Sequence, residues 1–231
     1  MWCAVPANCG RDLLNQTAPT RAKRVGLLGG SYNPAHSGHL HISQLALELL
    51  HLDEVWWLVS PQNPLKPSDG MAPLPVRVAQ ARALAAPEPR VSVSDIETEL
   101  GTRFTVDTLR ALKERFPGTR FVWVMGADNL AELHRWKDWP MIFESVPVAV
   151  FDRPTYSFPA LQATAAQRFA SARVERDRAG ELADLDPPAW VFLWSAFDPA
   201  SATAIREQTV HDQTQHGGEQ AGSGQGGKVE A

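Results

Sequence analysis

The sequence predicts a single α/β domain built on a doubly wound parallel sheet. Three observations lead there. Short apolar runs alternate with helical patterns along most of the chain, the strand runs are apolar throughout, and the chemically capable residues cluster where those runs end. A strand that is apolar on both faces has to be covered on both, which requires helices above and below the sheet. In such sheets ligands bind beyond the carboxyl ends of the strands, where the loops change direction. The expected fold is therefore Rossmann-like, and 231 residues are enough to give it a real core.

Taken in order, residues 25–28 form the first strand, which runs into Gly29 and Gly30. Residues 40–52 place Leu45, Leu49 and Leu52 at helical spacing. A second strand over 55–59 and a second helix over 74–86 follow, then a short third strand over 91–93 and a helix over 106–116. Residues 121–125 read as the fourth strand, with a helix from Asn129, and 146–151 as the fifth. A helix over 161–173 leads to the sixth strand, 190–194, and a last helix begins near Ser201. Trp56 and Trp57, inside the second strand, are expected to pack in the core. No internal repeat is present. Residues 1–23 show no periodicity and are expected to be a disordered N-terminal extension; 24–210 make up the folded domain. Residues 211–231, rich in Gly, Gln and Ser, are expected to be a disordered tail.

Composition narrows the function classes. A net charge of -4 does not suit a protein that holds nucleic acid by neutralising phosphates, although a small anionic substrate needs only a few local cations. Cys3 and Cys9 lack nearby histidines with which to complete a zinc site, and a disulfide is not expected between them. No basic start followed by an apolar run marks a secretory signal, and no stretch reaches the ~20 apolar residues of a membrane helix. The expectation is a cytoplasmic protein that binds neither nucleic acid nor membrane.

The segment from Gly29 to His39, GGSYNPAHSGH, joins the first strand to the first helix. Gly29 and Gly30 carry no Cβ and are expected to let the backbone turn and approach a phosphate. The helix beginning near Gly38 offers unpaired amides and the positive end of its dipole. His36 and His39, three positions apart around the helix start, can aim both imidazoles to one side; alternatively they are surface histidines on a tight turn. The string lacks the Gly-x-Gly-x-x-Gly of dinucleotide sites and the Gly-Lys of phosphate-loop proteins. Further along, Ser201 and Thr203 can cap a helix or give hydroxyls to a phosphate, and Arg206, one turn on, can add a bidentate contact or lie in solvent. Asp128, in Gly126-Ala127-Asp128-Asn129-Leu130, can accept from a ribose diol or cap the next helix. Trp136 can stack on a ring or pack. Lys66 can reach a phosphate or stay solvated.

Together these segments resemble the bacterial nicotinate-nucleotide adenylyltransferases. The first string is similar to the family's G-G-x-F-N-P-x-H-x-G-H, with Tyr32 where the family has Phe, and S-A-T-A-I-R at 201–206 is similar to S-x-T-x-x-R. G-A-D-N-L with Trp136, R-F-T-V-D-T-L at 103–109, P-Q-N-P-L-K at 61–66 and Arg153-Pro154 match further family segments. The wider superfamily shares the H-x-G-H core and includes other adenylyltransferases and cytidylyltransferases.

The resemblance implies adenylyl transfer from ATP to nicotinate mononucleotide, giving deamido-NAD and pyrophosphate, with Mg²⁺ bound through the ATP phosphates. It implies catalytic roles for His36, His39 and Arg206. ATP would be held by these three together with Gly29, Gly30 and Ser31, by Lys66, Asp128 and Arg153, and by Ser201 and Thr203. Nicotinate mononucleotide would be held by Asn33, Phe104, Thr105 and Trp136, with Trp136 stacked on the pyridine ring. Backbone amides near Thr105 would face the nicotinate carboxylate, since N–H donors suit an acid better than an amide. The likeness covers roughly 23–207 and departs from the pattern at Phe104 (Tyr in the family), at Ala200, and in the Gly/Gln tail. The alternatives are an adenylyltransferase for nicotinamide mononucleotide or phosphopantetheine, and a non-catalytic nucleotide sensor of the same fold.

Overall fold

The computed structural model of the chain describes residues 21–62, 70–153 and 156–194. Lys66, Ser201, Thr203, Arg206, the last expected helix, residues 1–20 and the 211–231 tail lie outside the described residues.

Seven strands form one sheet in which every pairing is parallel, as β-strands apolar on both faces require. They are β1 (Lys23–Gly30), β2 (Glu54–Val59), β3 (Val91–Ser94), β4 (Thr119–Gly126), β5 (Val148–Phe151), β6 (Arg173–Val174) and β7 (Trp190–Leu193). The order across the sheet is β3-β2-β1-β4-β5-β7-β6. The winding therefore reverses between β1 and β4, and a crevice opens at their carboxyl ends.

Alternating side chains on the strands feed two separate cores. On one face Val25, Leu27, Phe121, Trp123, Met125, Val148 and Val150 are buried. Covering them are α4 (Thr105–Arg115), α5 (Ala127–Glu132), α6 (Pro140–Ser145), α7 (Ser157–Leu161) and α8 (Thr164–Arg168). On the other face Leu28, Val55, Trp57, Val59, Val122, Val124 and Phe151 pack under α1 (Ser37–Leu49), α2 (Leu74–Ala85) and the 3-10 helix Arg176–Asp184. Trp57 is fully buried and its indole N–H donates to Ser43 Oγ of α1 at 2.7 Å, so this tryptophan is a packing residue as expected.

Several elements differ from the sequence expectation, and the helix expected from Asn129 is split into α5, a 3-10 turn over Leu133–Arg135, and α6. The helix expected over 161–173 is instead α7, α8 and a 3-10 turn, Ala170–Ala172, followed by the edge strand β6. The helical spacing of Leu161, Ala165 and Phe169 is real, but Phe169 ends the run. Its ring stacks on Phe143 at 4.5 Å and its carbonyl accepts the Trp190 indole N–H at 2.8 Å. The fifth strand starts at Val148 because Val146 closes α6, its N–H donating to Ile142 O at 3.3 Å. α3 (Ile96–Leu100) and the 3-10 helix Arg176–Asp184 were not expected; the first is too short to show a period.

Candidate active site

Among the described residues, parts of the motif segments around Gly29, Phe104, Asn129 and Trp136 meet at the crevice between β1 and β4. A cavity of about 290 Å³ opens there. It is lined by Gly29, Gly30 and Ser31 from the end of β1, Ser60 beyond β2, Trp123 of β4, and Phe104 and Thr105 at the start of α4. Glu97, Arg103, Asn129, Arg135, Trp136 and Lys137 complete the wall.

Of the two glycines Gly29 is required, for a reason other than a turn. Both belong to β1, and neither has positive φ. A Cβ on Gly29 would stand 2.5 Å from Cη2 of Trp123, so the missing side chain leaves room for an indole along the cavity wall. The turn itself falls to Tyr32, whose φ of 48° is the left-handed region that L side chains rarely adopt. What holds it is packing. The ring is buried against Trp57 (centroids 5.2 Å apart), and the hydroxyl donates to Leu28 O at 2.8 Å, a bond that phenylalanine could not make. Burial raises the phenol pKa well above its ordinary value, so it remains a donor.

From that turn the chain enters α1 with His36 at its N-cap and His39 in its first turn. The two rings lie 3.9 Å apart, His36 buried and His39 half-buried. The Nδ1 of His39 accepts the His36 backbone N–H at 3.2 Å. This fixes the neutral tautomer: with Nδ1 accepting, the proton sits on Nε2, and the outer edge of the ring is a donor. The pair therefore forms one unit with the helix amides and does not behave as two surface histidines.

On the far side of β4, Asp128 lies in the first turn of α5 but does not cap it. Its Oδ2 accepts from Arg153 Nη1 at 3.0 Å, while Oδ1 is buried with no hydrogen-bond partner among the described residues. Gly126 makes room for this arrangement, since a Cβ there would meet Asp128 Oδ1 at 2.4 Å. Asp128 and Arg153, separated by 25 positions in sequence, are thus one charged pair beside the crevice.

Asn33 sits elsewhere than in the cavity wall. Its Nδ2 donates to Gly70 O and its Oδ1 accepts from Ala72 N–H, both at 3.1 Å, tying the β1 turn to the start of the α2 loop. Phe104 is the N-cap of α4, and the Lys137 ammonium lies 4.7 Å from its ring centre. The first-turn amides of α4 at Thr105 and Val106 make no intrahelical bond, and Thr105 opens onto the cavity. Trp136 is half-buried across from them.

Sequence reasoning missed Glu97, Lys137 and above all Arg77. Arg77 is 1% exposed, and its guanidinium donates to four carbonyls. Nε reaches Ala72 O at 2.8 Å, Nη1 reaches Ser31 O at 2.6 Å and Ser60 O at 2.8 Å, and Nη2 reaches Pro61 O at 2.9 Å. Two loops beyond the carboxyl ends of β1 and β2 hang on this one buried cation, the β1–α1 loop at Ser31 and the β2–α2 loop at Ser60, Pro61 and Ala72. A signal was available: Arg77, Ala81 and Ala85 share one helical face, and the two alanines are buried.

Among the described residues no three His, Cys, Asp or Glu side chains converge as a metal cluster, and no helix is long and apolar enough to cross a membrane.

The comparisons with known proteins agree with this geometry. The Cytidylyltransferase-like family model matches residues 27–208. A "Probable nicotinate-nucleotide adenylyltransferase" of Methylorubrum extorquens is 54% identical over 183 residues, 79% of this chain and 98% of that protein. The chain belongs to the nicotinate-nucleotide adenylyltransferase family. A second family member, from Cereibacter sphaeroides, is 56% identical over 182 residues, covering 79% of this chain and 96% of its own length. Among solved structures, the nicotinic acid mononucleotide adenylyltransferase of Plasmodium falciparum complexed with NaAD matches with a TM-score of 0.61 at 14% identity. It covers 80% of this chain and 83% of its own, a likeness that bears on the fold alone. In this chain the paired histidines open α1 after β1, and the carboxylate of Asp128 follows β4.

Proposed function

We propose that the protein transfers the adenylyl group of ATP to nicotinate mononucleotide, making deamido-NAD and pyrophosphate. The observation that carries this reading is the joining of two unlike subsites along β1 and β4. One is a histidine pair on a helix N-terminus; the other is a ring-lined cavity edged by the α4 amides. The family membership supports the same substrates.

The acceptor's 5′-phosphate is already anionic at neutral pH, so no general base is needed. One of its oxygens attacks the α-phosphorus of ATP in line; that bond forms as the bond to the bridging oxygen breaks, and pyrophosphate leaves with the electron pair. Catalysis is then positioning and charge stabilisation. In this reading His39 donates from Nε2 to the phosphates, His36 and the α1 amides flank it, and Gly29, Gly30 and Ser31 let the chain come close. Asp128 Oδ1 accepts from the ATP ribose, and Arg153 holds that carboxylate in place. Trp136 stacks on the pyridine ring, while the amides at Thr105 meet its carboxylate. Arg103, Arg135 and Lys137 add positive charge around an anionic acceptor. Lys66, Ser201, Thr203 and Arg206 belong to the triphosphate grip by resemblance. Mg²⁺ arrives as part of the Mg-ATP substrate, its oxygen ligands supplied by phosphates and water.

The family match over 27–208 supports taking 24–210 as the catalytic domain. The cytoplasm, where ATP is available, is the compartment this reading expects. Incubating the protein with Mg-ATP and nicotinate mononucleotide and separating the products by chromatography tests it. Equimolar deamido-NAD and pyrophosphate are expected; ATP binding without either product would favour the sensor instead.

A further inference from the structure

One acid lines the acceptor cavity with no part in the mechanism above. Glu97 of α3 is 8% exposed. Its Oε1 accepts from Thr108 Oγ1 at 3.1 Å, and that hydroxyl lies 2.8 Å from Thr102 Oγ1. The nearby Ser60 hydroxyl helps to lower the pKa of this carboxyl. Oε2, by contrast, is buried with no hydrogen-bond partner among the described residues. A buried carboxyl oxygen without a partner is costly, and in a ligand cavity the partner to look for is the ligand. Glu97 is also wired to the acceptor amides. Its backbone carbonyl accepts Thr102 N–H at 3.0 Å, and the Thr108 hydroxyl, which holds its side chain, lies 3.3 Å from Phe104 O.

We propose that Glu97 is a specificity-determining residue for the acceptor, with Oε2 the hydrogen-bond partner of the acidic substituent on the acceptor's pyridine ring. This rests on the reading of Thr105 and Trp136 as the acceptor pocket. A carboxylate can meet another carboxyl group only if one proton is shared between them, so Glu97 must act as the neutral acid, donating from Oε2. Burial raises the Glu97 pKa, outweighing the hydroxyls of Thr108 and Ser60, which lower it. An anionic ring substituent beside it pushes in the same direction.

The cations lining the same cavity pull towards the carboxylate, but no ion pair among the described residues involves Glu97, and burial outweighs the groups that lower its pKa. Arg103, Arg135 and Lys137 line the same cavity, Lys137 engaged by Asp107 at 3.1 Å and Arg135 by Glu132 at 4.0 Å. On the outer side Glu99 of α3 pairs with Arg115 of α4 at 3.2 Å. β4 contributes only the neutral indole of Trp123, whose N–H is likewise without a partner among the described residues. An acceptor bearing an amide can donate to the ionised carboxylate as well as accept from the acid. Ionisation of Glu97 therefore penalises the acidic acceptor and spares its amide counterpart.

The test compares the parent protein and Glu97→Gln, which keeps a donor but cannot titrate. KM for nicotinate mononucleotide and for nicotinamide mononucleotide (as Ki if the latter is a poor substrate) is measured between about pH 5.5 and 9 at saturating Mg-ATP. The two acceptors share a phosphate, so its titration cancels in their ratio. In the parent, the acid-to-amide KM ratio should rise with pH, approaching about tenfold per unit above the carboxyl's pKa. In Glu97→Gln the ratio should be flat, with KM for ATP unchanged within about twofold. A flat ratio in the parent, or a variant profile parallel to the parent's, overturns the proposal. Should the variant fail to fold by circular dichroism, the parent series alone decides. Absence of any turnover of nicotinate mononucleotide by the parent would instead overturn the functional reading on which the proposal rests.

Discussion

Replacing Arg77 by lysine should loosen the phosphate end of the site while leaving every proposed substrate contact in place. The guanidinium serves four carbonyls on two loops from a position 1% exposed. An ammonium is a point charge with three donors and no planar fork, so it cannot span Ala72, Ser31, Ser60 and Pro61 together. Each hydrogen bond from a charged donor is worth about 1.5–3 kcal/mol, but the four are not additive, and carbonyls released near a loop regain water. We therefore expect a loss of about 1–3 kcal/mol for Arg77→Lys and about 3–5 kcal/mol for Arg77→Ala, the range for breaking a buried charged network. For a domain of this size each kcal/mol lowers Tm by about 2–4 °C, so Arg77→Ala should melt roughly 6–20 °C early. Urea unfolding with an unchanged m value isolates the stability term. Kinetics at a temperature where both proteins are folded should show kcat/KM down about tenfold or more, since Ser31 and Ser60 sit on the cavity wall. Arg77→Lys within twofold of the parent in kcat/KM and within about 0.5 kcal/mol in stability would refute the clamp.

The remaining expectations concern the two subsites. His39→Ala should lower kcat by about 10²-fold, the loss seen when a transition-state donor is removed; a change within twofold would sink that role. Trp136→Ala should raise KM for nicotinate mononucleotide far more than KM for ATP, and equal effects on both would reject stacking. Gly29→Ala puts a methyl 2.5 Å from the Trp123 ring, so the indole must shift. We expect a cost of about 1–3 kcal/mol in urea unfolding together with weaker acceptor binding by fluorescence titration, and a variant unchanged in both would show the indole to be unconstrained.

Much of the fold was legible because parallel strands buried on both sides are apolar without interruption. Val25, Leu27, Leu28 and the 121–125 run announce this directly, and the loops after them fall where a ligand crevice must be. Short or composite elements were not legible. α3 spans too few residues to display a period, and the 157–172 region keeps a helical face while its backbone breaks at Phe169. At the site, motif chemistry was readable and tertiary chemistry was not. The sequence supplies His36 and His39, but the tautomer of His39 follows from a 3.2 Å bond to a backbone N–H. Gly29 was read as a phosphate approach, whereas its neighbour is the indole of Trp123, 94 positions later. Asp128 offered two readings, and the pairing with Arg153 removed the helix-cap one. Arg77 and Glu97 could not be assigned without the fold, because their partners come from loops distant in sequence.

The central claim concerns which acceptor receives the adenylyl group, and pyrophosphate release with Mg-ATP measures it directly. Nicotinate mononucleotide, nicotinamide mononucleotide and phosphopantetheine should be compared side by side as kcat/KM. A clear preference for nicotinate mononucleotide is the predicted result, since the cavity combines α4 amides, cations and an aromatic wall. A preference for phosphopantetheine or the amide nucleotide would contradict it, leaving the fold and the histidine cradle standing but overturning the acceptor pocket.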